Sequence, residues 1–224
     1  MKKFLPWLLC TICVCAGFAQ APKTPSIEEK TQGMEAYAGW FDFYYDENSD
    51  KIWLKIDKWD TEFLYVHALS AGVGSNDIGL DRGQLGGTKI VKFIRSGPKV
   101  LLIQPNYDYR ASTDNPAETK AVREAFAQSV IGGFKVGAQS GEAVLVDMSE
   151  FLLRDAHNVT GRMKRSKQGG YRLDKSRTSM NLDRTRNFPQ NTEIDVRLTF
   201  SGEPQGAWVR FPSKEYAELV TQIF

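Results

Sequence analysis

The two histidines, His67 and His157, are the only imidazoles in the 224-residue sequence. Neither begins an H-E-x-x-H motif, in which two histidines one helical turn apart bind zinc. Two distant histidines without cysteine partners make a poor zinc site, because zinc in proteins needs three or four ligands that converge. We therefore interpret both as structural histidines, and we predict no metal ligand and no catalytic residue in this chain.

The other motifs that could support catalysis are incomplete. Gly72 and Gly74 resemble the start of a dinucleotide-binding loop, but the third glycine falls at Gly79 and no helical pattern follows. The sequence has neither a G-x-S-x-G nucleophile elbow nor a phosphate-binding P-loop. Asp42 and Asp46 have the residue type of a glycosidase pair, but they lie on one face of a predicted strand without a supporting motif.

A polar, glycine-rich loop at about residues 75–88 is the best candidate for a contact with another molecule. Loops of this length in compact domains are usually functional or specifically folded. Asp77 and Asp81 could bind calcium, although their spacing does not match an EF-hand. We favour a structural role, in which their carboxylates accept hydrogen bonds from backbone N–H groups of the loop. The candidate contact residues are Asn76, Asp77, Asp81, Arg82 and Gln84.

Alternating apolar residues predict strands on both sides of this loop. Residues 37–46 and 51–57 alternate around a polar turn, which is typical of a β-hairpin, and residues 62–69 form a third strand. After the loop, residues 90–94 and 100–103 are apolar runs that predict a second hairpin. A glycine at its turn is free to take a positive φ.

The second half of the chain mixes helices and strands. Asn115 and Pro116 are favoured N-cap and N1 residues, and we predict a main helix at about residues 116–131, ended by a Gly-Gly pair. A buried strand at residues 143–146 precedes a short helix at about residues 148–154, for which the preceding aspartate is the predicted N-cap.

The last predicted strands are at residues 192–200 and 207–211. Alternation in the first of them places its apolar side chains inward and Asp195 outward. Because a lone two-stranded hairpin is marginally stable in water, we expect these strands to join the edge of the first sheet or to be loosely held. The predicted fold class is α+β, predominantly antiparallel β-hairpins with one main helix and one short helix.

The N-terminus has the features of a secretory signal peptide at residues 1–21. Lys2 and Lys3 precede an apolar core at residues 4–16, which is shorter than the ~20 residues that span a membrane, and small residues follow it. All three cysteines lie inside this segment. We therefore expect an exported protein, periplasmic or extracellular, with no thiol, disulfide or membrane contact after cleavage.

The charge argues against a nucleic-acid partner, because removal of Lys2 and Lys3 takes the formal net charge from +2 to 0. A basic block at residues 162–186 carries nine lysines and arginines against two aspartates. It is either a patch for an acidic partner or, as we favour, a connecting arm that packs on the acidic first hairpin at residues 35–62.

These patterns divide the chain into five parts. They are a signal peptide (residues 1–21), a flexible lead-in (22–36), a β-rich N-terminal domain (37–158), a basic connecting arm (159–190) and the start of a further β segment (191–224). We expect the last segment to be truncated.

Several long motifs occur in a fixed order: SNDIGLDRGQLGG at residues 75–87, VKFIRSGPKVLLIQPNYDYRA at residues 91–111, VDMSEFLLRDAH at residues 146–157 and QGGYRLDKSRT at residues 168–178. This series resembles the N-terminal uncharacterised domain of large secreted bacterial zinc-dependent metalloproteases, a metzincin-like family. The resemblance covers about residues 37–210.

The resemblance implies a peptidase domain with an H-E-x-x-H-x-x-G-x-x-H zinc site, C-terminal to this region. That motif is absent here, so no zinc ligand or catalytic glutamate is carried over. We expect an accessory domain that is inactive by itself, with zinc only in the missing peptidase domain and that domain as its partner. The departure of residues 211–224 from the family pattern fits a truncation or a frameshift.

Two alternatives stay open at this point. The chain could instead be a stand-alone secreted β-rich module that binds a ligand or a protein through its glycine-rich loop. If it does accompany a peptidase domain, a carboxylate of Asp77 or Asp81 could occupy the open zinc position and keep the enzyme latent, because oxygen ligands also suit zinc. We favour the simpler role, in which both aspartates brace their own loop.

Overall fold

The computed structural model describes residues 24–73, 76–210 and 216–223. The predicted signal peptide at residues 1–21, with its three cysteines, lies outside these ranges. Antiparallel β-sheet dominates the described chain, with a few short helices between the strands. This confirms the predicted α+β class and its predominance of antiparallel β structure.

The larger sheet has eight strands, and each neighbouring pair is antiparallel. In spatial order the strands are β1 (Glu35–Tyr37), β2 (Phe43–Asp46), β3 (Lys51–Ile56), β9 (Ala143–Asp147), β8 (Ser129–Ser140), β7 (Lys99–Gln104), β6 (Lys89–Ser96) and β4 (Phe63–Tyr65). The two predicted hairpins thus lie in one sheet, and β8 and β9 join them.

The smaller sheet is built around one long strand, β13 (Asn191–Pro204), which pairs with four others. Its partners are β10 (Gly169–Leu173), β11 (Ser179–Met180), β12 (Arg186–Phe188) and β14 (Tyr216–Ile223). On its other side, β14 pairs with β5 (His67–Leu69). The helices are α1 (Ile27–Lys30), α2 (Pro116–Ala125), α3 (Ser149–Leu152), α4 (Val159–Arg165) and α5 (Ala207–Arg210), with a 3₁₀ turn at Lys175–Arg177.

Both predicted hairpins are present, but the first strand is shorter than the predicted residues 37–46, because β1 ends at Tyr37 and β2 begins only at Phe43. The turn residues of the hairpins explain where the chain reverses. Between β2 and β3, the Asp46 carboxylate accepts hydrogen bonds from the Asn48 N–H at 3.1 Å and the Ser49 hydroxyl at 2.6 Å. Between β6 and β7, Gly97 has a φ of +57°, a conformation that strongly favours glycine. Along β3 every second side chain is buried, as the alternating sequence predicts.

The predicted third strand at residues 62–69 is wrong in one respect, because it is two strands. The chain breaks at Val66, so that β4 ends the larger sheet while β5 belongs to the smaller sheet. Strand propensity is continuous across this break, and the sequence pattern gives no signal for a change of sheet.

The predicted main helix at residues 116–131 is too long. Asn115 caps α2 as predicted, since its Oδ1 accepts from the Ala117 N–H at 3.0 Å, but the helix stops at Ala125. Residues 129 and 130 begin β8 instead, and Gly132 lies inside that strand. A Cβ at Gly132 would meet the rings of Phe134 and Phe151, so the glycine marks a close approach and not a helix end.

The short helix predicted at residues 148–154 is α3, with narrower bounds. Met148 is its N-cap, and Asp147, the predicted cap, accepts from the Ser149 N–H at 2.9 Å. The predicted strand at residues 207–211 is wrong over the residues that the structure describes, because Ala207–Arg210 forms α5. The Trp208 N–H at the start of that turn donates to the Gln168 side chain at 3.0 Å.

The strand at residues 192–200 is neither loosely held nor at the edge of the first sheet. It forms the middle of β13, between β14 and the strands that pair on the other side. Ile194, Val196, Leu198 and Phe200 are buried as predicted, but Asp195 is also completely buried. The prediction assumed that the whole outward side faces solvent, whereas Asp195 and Thr199 on that side are buried and Arg197 between them is exposed.

One hydrophobic cluster takes buried side chains from both sheets. Phe43 and Phe93 come from the larger sheet, Val196 and Phe200 from the smaller sheet, and Met163 from α4 in the predicted connecting arm. Hydrophobic packing is therefore continuous across the predicted domain boundaries at residues 158 and 190. A small second cluster of Ile27, Ala138 and Leu145 packs α1 on the larger sheet.

The basic block contacts the first hairpin as predicted, since the Met180 N–H donates to the Asp50 carboxylate at 3.3 Å, but its ion pairs lie elsewhere. In the described part of the chain, the ion pairs of the block end on Glu150, Asp174 and Asp195. The acids of the first hairpin pair mainly with lysines of that hairpin, for example Asp42 with Lys55 at 3.1 Å.

Candidate functional site

The predicted contact residues lie on a loop that covers the outside of β5. The loop is anchored by Ile78 and Leu80, which are buried in the main cluster. Of the candidates, three are exposed and two are half-buried. The exposed residues are Asn76, Asp77 and Arg82, and the half-buried residues are Asp81 and Gln84. Whether any of them contacts a ligand stays a prediction.

The main chain holds this loop, and the two aspartates do not. The Leu69 N–H donates to the Gln84 carbonyl at 3.0 Å, and the Gly83 N–H donates to the Leu69 carbonyl at 2.7 Å. Within the described ranges, no hydrogen bond ends on the carboxylate of Asp77 or Asp81. The predicted bracing by these carboxylates is therefore wrong.

The two histidines meet beneath the loop, although 89 residues separate them in sequence. His67 is the first residue of β5, and His157 lies in the turn between α3 and α4. Their ring centroids are 5.3 Å apart and the ring planes are nearly perpendicular, at 88°. His67 is 9% exposed and His157 is 3% exposed. We call these two residues the histidine pair.

The histidine pair has few polar partners. Nδ1 of His67 and both ring nitrogens of His157 are buried without a hydrogen-bond partner among the described residues. Burial, together with the neighbouring His157, lowers the pKa of His67 to about 4. Burial and the Arg162 guanidinium also lower the pKa of His157, against the opposite pull of Asp155 and Asp81. Both rings are therefore neutral at pH 7.

The glycine-rich loop and the histidine pair are in direct contact at Gly86. Its N–H donates to the His67 carbonyl at 2.7 Å, and a Cβ added there would overlap the His67 ring at Nε2. Arg162 of α4 adds a second connection, because its guanidinium donates to the Gly79 carbonyl at 3.1 Å and to the His157 carbonyl at 3.3 Å. The loop, β5 and α4 thus form one connected unit.

A second buried polar site lies at the other end of β5. The Asp195 carboxylate is fully buried and accepts from Asn181 Nδ2 at 2.8 Å and from the Ser70 hydroxyl at 3.0 Å. The Asp195 N–H donates to Thr185 Oγ1 at 3.1 Å, and Arg184 Nε lies 3.8 Å from the carboxylate. Burial raises the pKa of Asp195, while the hydrogen bonds from Asn181 and Ser70 oppose that rise. Sequence reasoning missed this residue because it alternates like an outward-facing one.

An apolar groove of about 600 Å³ lies between β4 and the turn from β12 to β13. Its apolar lining is Trp40, Phe41, Phe63, Leu64, Val66 and Leu85, and residues 190–192 form the opposite wall. Leu64 is 63% exposed and Leu85 is 62% exposed, which is unusual for two large apolar side chains beside one groove. We call this surface the apolar groove.

A small cavity of about 60 Å³, lined mostly by buried side chains, lies behind the apolar groove. The two share Phe41, Phe63 and Thr192 as walls. The Phe41 and Phe63 rings are 5.1 Å apart, and each contacts Phe93 of the main core. The side chains of Phe41, Phe63 and Thr192 thus separate the groove from the cavity behind it.

The two aspartates that were considered and set aside as a glycosidase pair have contacts that serve the fold. Asp42 accepts from the Gly39 N–H at 3.2 Å and from Lys55 Nζ at 3.1 Å, while Asp46 shapes the first turn. Among the described residues, no group of three or more histidine, cysteine or acidic side chains is placed to hold a metal ion. Nor does any described helix have the length and apolar character needed to cross a membrane.

Comparison with known families gives one match, to a domain of unknown function designated DUF5117, over residues 83–223. That span is more than half of the 224 residues. The chain belongs to the DUF5117 family. No curated protein and no solved structure matches it. The family match is to a domain without an assigned activity, and the link to a metalloprotease is carried by the motif resemblance alone.

The DUF5117 match covers part of each feature described above. It includes Leu85, His157, Asp195 and the groove wall at residues 190–192, and it begins after β4 and β5. In this DUF5117 protein, therefore, the apolar groove and the histidine pair each combine residues from the matched region with residues that precede it.

Proposed function

We propose that this chain is a non-catalytic accessory domain of a secreted zinc-dependent metalloprotease, and that it holds the peptidase domain through the apolar groove. The docking part of the proposal is carried by the groove, with Leu64 and Leu85 exposed beside it. Exposed apolar surface of this kind is typical of protein interfaces. The metalloprotease part is supported by the motifs at residues 75–87 and 146–157.

The strand next to the groove favours an extended segment of the peptidase domain as the occupant. β4 is the last strand of the larger sheet, and no described strand pairs with its outer edge. The backbone groups on such an edge can add a further strand from a partner. Phe63 and Leu64 would then provide the side-chain contacts on either face of that added strand.

The charge of the groove points to an apolar, uncharged segment. Glu62 is its one charged lining residue in the described chain, and its carboxylate already accepts from the Tyr107 hydroxyl. Charged side chains brought into such a surface would lose hydration without gaining a partner. A large apolar side chain would instead fill the groove against Phe41 and Phe63, as interface anchors do.

The first test asks whether the docking surface and its partner are correct. The peptidase domain encoded downstream in the same gene is titrated into this chain by calorimetry. We expect Leu64→Ser and Leu85→Ser each to raise the Kd at least tenfold. Val130→Ser is the control, because Val130 is 59% exposed but lies outside the groove. All three are surface changes and should alter stability by no more than about 0.5 kcal/mol.

Each part of the proposal can fail separately in this test. Equal effects of the three substitutions would exclude the groove while leaving the partner in place. A downstream sequence without an H-E-x-x-H motif, or a peptidase domain that does not bind, would exclude the metalloprotease part. Binding of an unrelated extracellular protein in the same groove would instead favour a stand-alone binding module.

The second test concerns catalysis by the chain itself. We expect the purified protein to hold less than 0.1 zinc per chain and to cleave no protein substrate, since a catalytic zinc needs three protein ligands and one open position. Elemental analysis after gel filtration measures the metal, and a labelled-casein assay measures cleavage. One tightly held zinc per chain would contradict the proposal.

A further inference from the structure

The histidine pair lies directly behind one wall of the apolar groove. Val66 and Leu85 line the groove, and the next residue in each segment belongs to the contact between His67 and Gly86. The Gly86 N–H is bonded to the His67 carbonyl, and the Gly86 backbone lies against Nε2 of the same residue. The position of Leu85 therefore depends on close packing between the loop and the His67 ring.

This packing requires that both rings are neutral. Three of their four nitrogens are buried without a described hydrogen-bond partner, so a proton added there would place a charge in an environment that does not solvate it. Two protonated rings with centroids 5.3 Å apart would also repel each other.

The surrounding charges do not compensate for such a proton. Cationic groups face His67 from three elements: Lys89 of β6, Arg154 after α3 and Arg162 of α4. His157 faces Arg162 as well, together with the carboxylates of Asp155 and Asp81. The Asp155 carboxylate is already engaged, since it accepts from the Val159 N–H at 2.7 Å and from the Thr160 N–H and hydroxyl at 3.0 and 2.8 Å.

We propose that the histidine pair is an acid-sensitive latch that holds the loop wall of the apolar groove at neutral pH and releases it when the rings are protonated. Release exposes the two rings to water and displaces Leu85 from the groove. The opening of the loop rests only on the histidine pair. The further consequence, weaker binding of a partner at acidic pH, rests on the proposed function of the groove.

Only the part of the loop after Leu80 is suited to this movement, because Ile78 and Leu80 are buried in the main cluster whereas the attachment of the later residues is local. The loop is held to β5 by main-chain hydrogen bonds at Leu69, Gly83 and Gly86, and to α4 by Arg162. Most of its polar side chains face the solvent. A segment held by few bonds can open without unfolding the sheets beside it.

The test measures hydrogen exchange of the full chain by mass spectrometry between pH 7.5 and pH 4, with labelling times corrected for the intrinsic pH dependence. We expect protection of the loop peptide, residues 76–88, to fall at least fivefold on acidification. The hairpin peptide, residues 89–104, is the internal control and should keep its protection. Equal loss in both peptides would mean global unfolding and would overturn the latch.

Two substitutions connect the effect to the imidazoles. Because the sequence has only two histidines, the double variant His67→Met/His157→Met contains no imidazole, and its loop should lose less than twofold protection over the same pH range. An unchanged fivefold loss in this variant would overturn the proposal. If the double variant does not fold, the two imidazole C–H resonances of the unmodified protein decide, because titration of both near pH 6.5 would also overturn it.

A separate measurement tests the link to the groove. The Kd of the peptidase domain should rise at least fivefold from pH 7.5 to pH 4 in the unmodified chain, and less than twofold in the double variant. Loop opening without any change in Kd would leave the latch intact but would show that Leu85 is not part of the binding surface. No loop opening, with normal groove binding, would reject the latch and leave the proposed function standing.

Discussion

Two buried polar sites lie at opposite ends of the three-residue strand β5, and they are built on different principles. At one end, the Asp195 carboxylate is completely buried but accepts hydrogen bonds from Asn181 and Ser70. At the other end, His67 and His157 are almost as buried, yet three of their four ring nitrogens have no described partner. Burial is similar in the two sites, and the number of hydrogen bonds differs.

This difference indicates that the Asp195 site stabilises the fold, whereas the histidine pair can respond to a change in pH. A buried polar group with its partners in place stabilises one arrangement, and removing a partner is costly. Buried imidazoles without partners are tolerated only while they are neutral, so their environment changes when the pH falls. We therefore expect mutations to have their largest effect at Asp195, and acidification to have its largest effect at the histidine pair.

The largest expected effect is that of Asp195→Ala. It leaves the Asn181 amide buried without its acceptor and adds a cavity, which together should lower the free energy of unfolding by about 4 kcal/mol. Asp195→Asn is the matched control, since it keeps the shape and one oxygen, and should cost about 1 kcal/mol. Urea unfolding at pH 7 measures both. A similar, small cost for both substitutions would show that the network does not stabilise the fold.

Acidification should produce the next largest effect. The pKa of His67 is about 4 in the folded chain and about 6.5 when unfolded, so the folded state binds fewer protons between these values. Its contribution is complete above pH 6.5 and is lost as the pH falls to 4, up to about 3 kcal/mol. His67→Met should flatten this part of the profile in urea unfolding between pH 4 and pH 7. A variant as acid-sensitive as the unmodified protein would contradict it.

The contribution of Asp195 to stability should change with pH in the opposite direction to that of His67 in the same experiment. Its pKa is raised by burial, so the folded state holds its proton to higher pH than the unfolded state does. The stabilising contribution of that proton is present below the unfolded pKa and is lost as the pH rises through the folded pKa. Asp195→Asn should therefore steepen the acid-side loss of stability, whereas His67→Met should reduce it.

A smaller effect is expected from a methyl group placed between the loop and the histidine pair. Gly86→Ala should cost about 2 kcal/mol in urea unfolding, because its Cβ would overlap the His67 ring. Gly87→Ala is the control and should cost less than about 0.5 kcal/mol, since the nearest atom to its Cβ is the mobile end of Lys89 at 3.3 Å. Combination with His67→Ala should recover at least half of the Gly86→Ala cost in a double-mutant cycle. Additive costs would mean that the loop does not pack on the ring.

The smallest effect should follow Arg162→Met, at about 1 kcal/mol. The substitution removes the hydrogen bonds to the Gly79 and His157 carbonyls. It also removes a cation that lowers the pKa of both histidines, so the titration midpoints of the two imidazoles, measured from their C–H resonances, should move to higher pH. Arg165→Met, on the exposed side of the same helix, is the control for helix stability. Identical acid midpoints in the two variants would show that Arg162 does not influence the pair.

Local patterns predicted much of this fold. The hairpin of β6 and β7 follows from two apolar runs around Gly97, and the start of α2 follows from Asn115 and Pro116. The end of α2 could not be predicted from the local pattern. The residues from Ser129 onward pair with β7, and this tertiary contact outweighs the helical periodicity. The break at Val66 is likewise decided by the separate neighbours of β4 and β5.

The candidate site was less predictable than the fold. Both histidines were interpreted as structural residues, but no spacing rule brings His67 to His157, since strands and turns from distant parts of the chain place them together. Asp195 was placed outward by strict alternation, because one sheet face was assumed to be in solvent. The apolar groove is formed by β4 and the turn before β13, a pairing of surfaces that only the fold defines.

Because β5 pairs with β14, the smaller sheet cannot be completed until the end of the chain has been synthesised. His67 lies opposite Ile223, so the two strands that close the smaller sheet leave the ribosome 156 residues apart. At ~5–20 residues per second, β5 waits roughly 8–30 s for its neighbour. Only in the last part of that interval, once β13 has been made, does this long strand also lack β14 along eight positions. A nascent chain in which β5 stays without this neighbour for that long is a natural client for a holding chaperone, and a chain cut short before residue 216 would lose the closure of the whole smaller sheet, not merely its last strand.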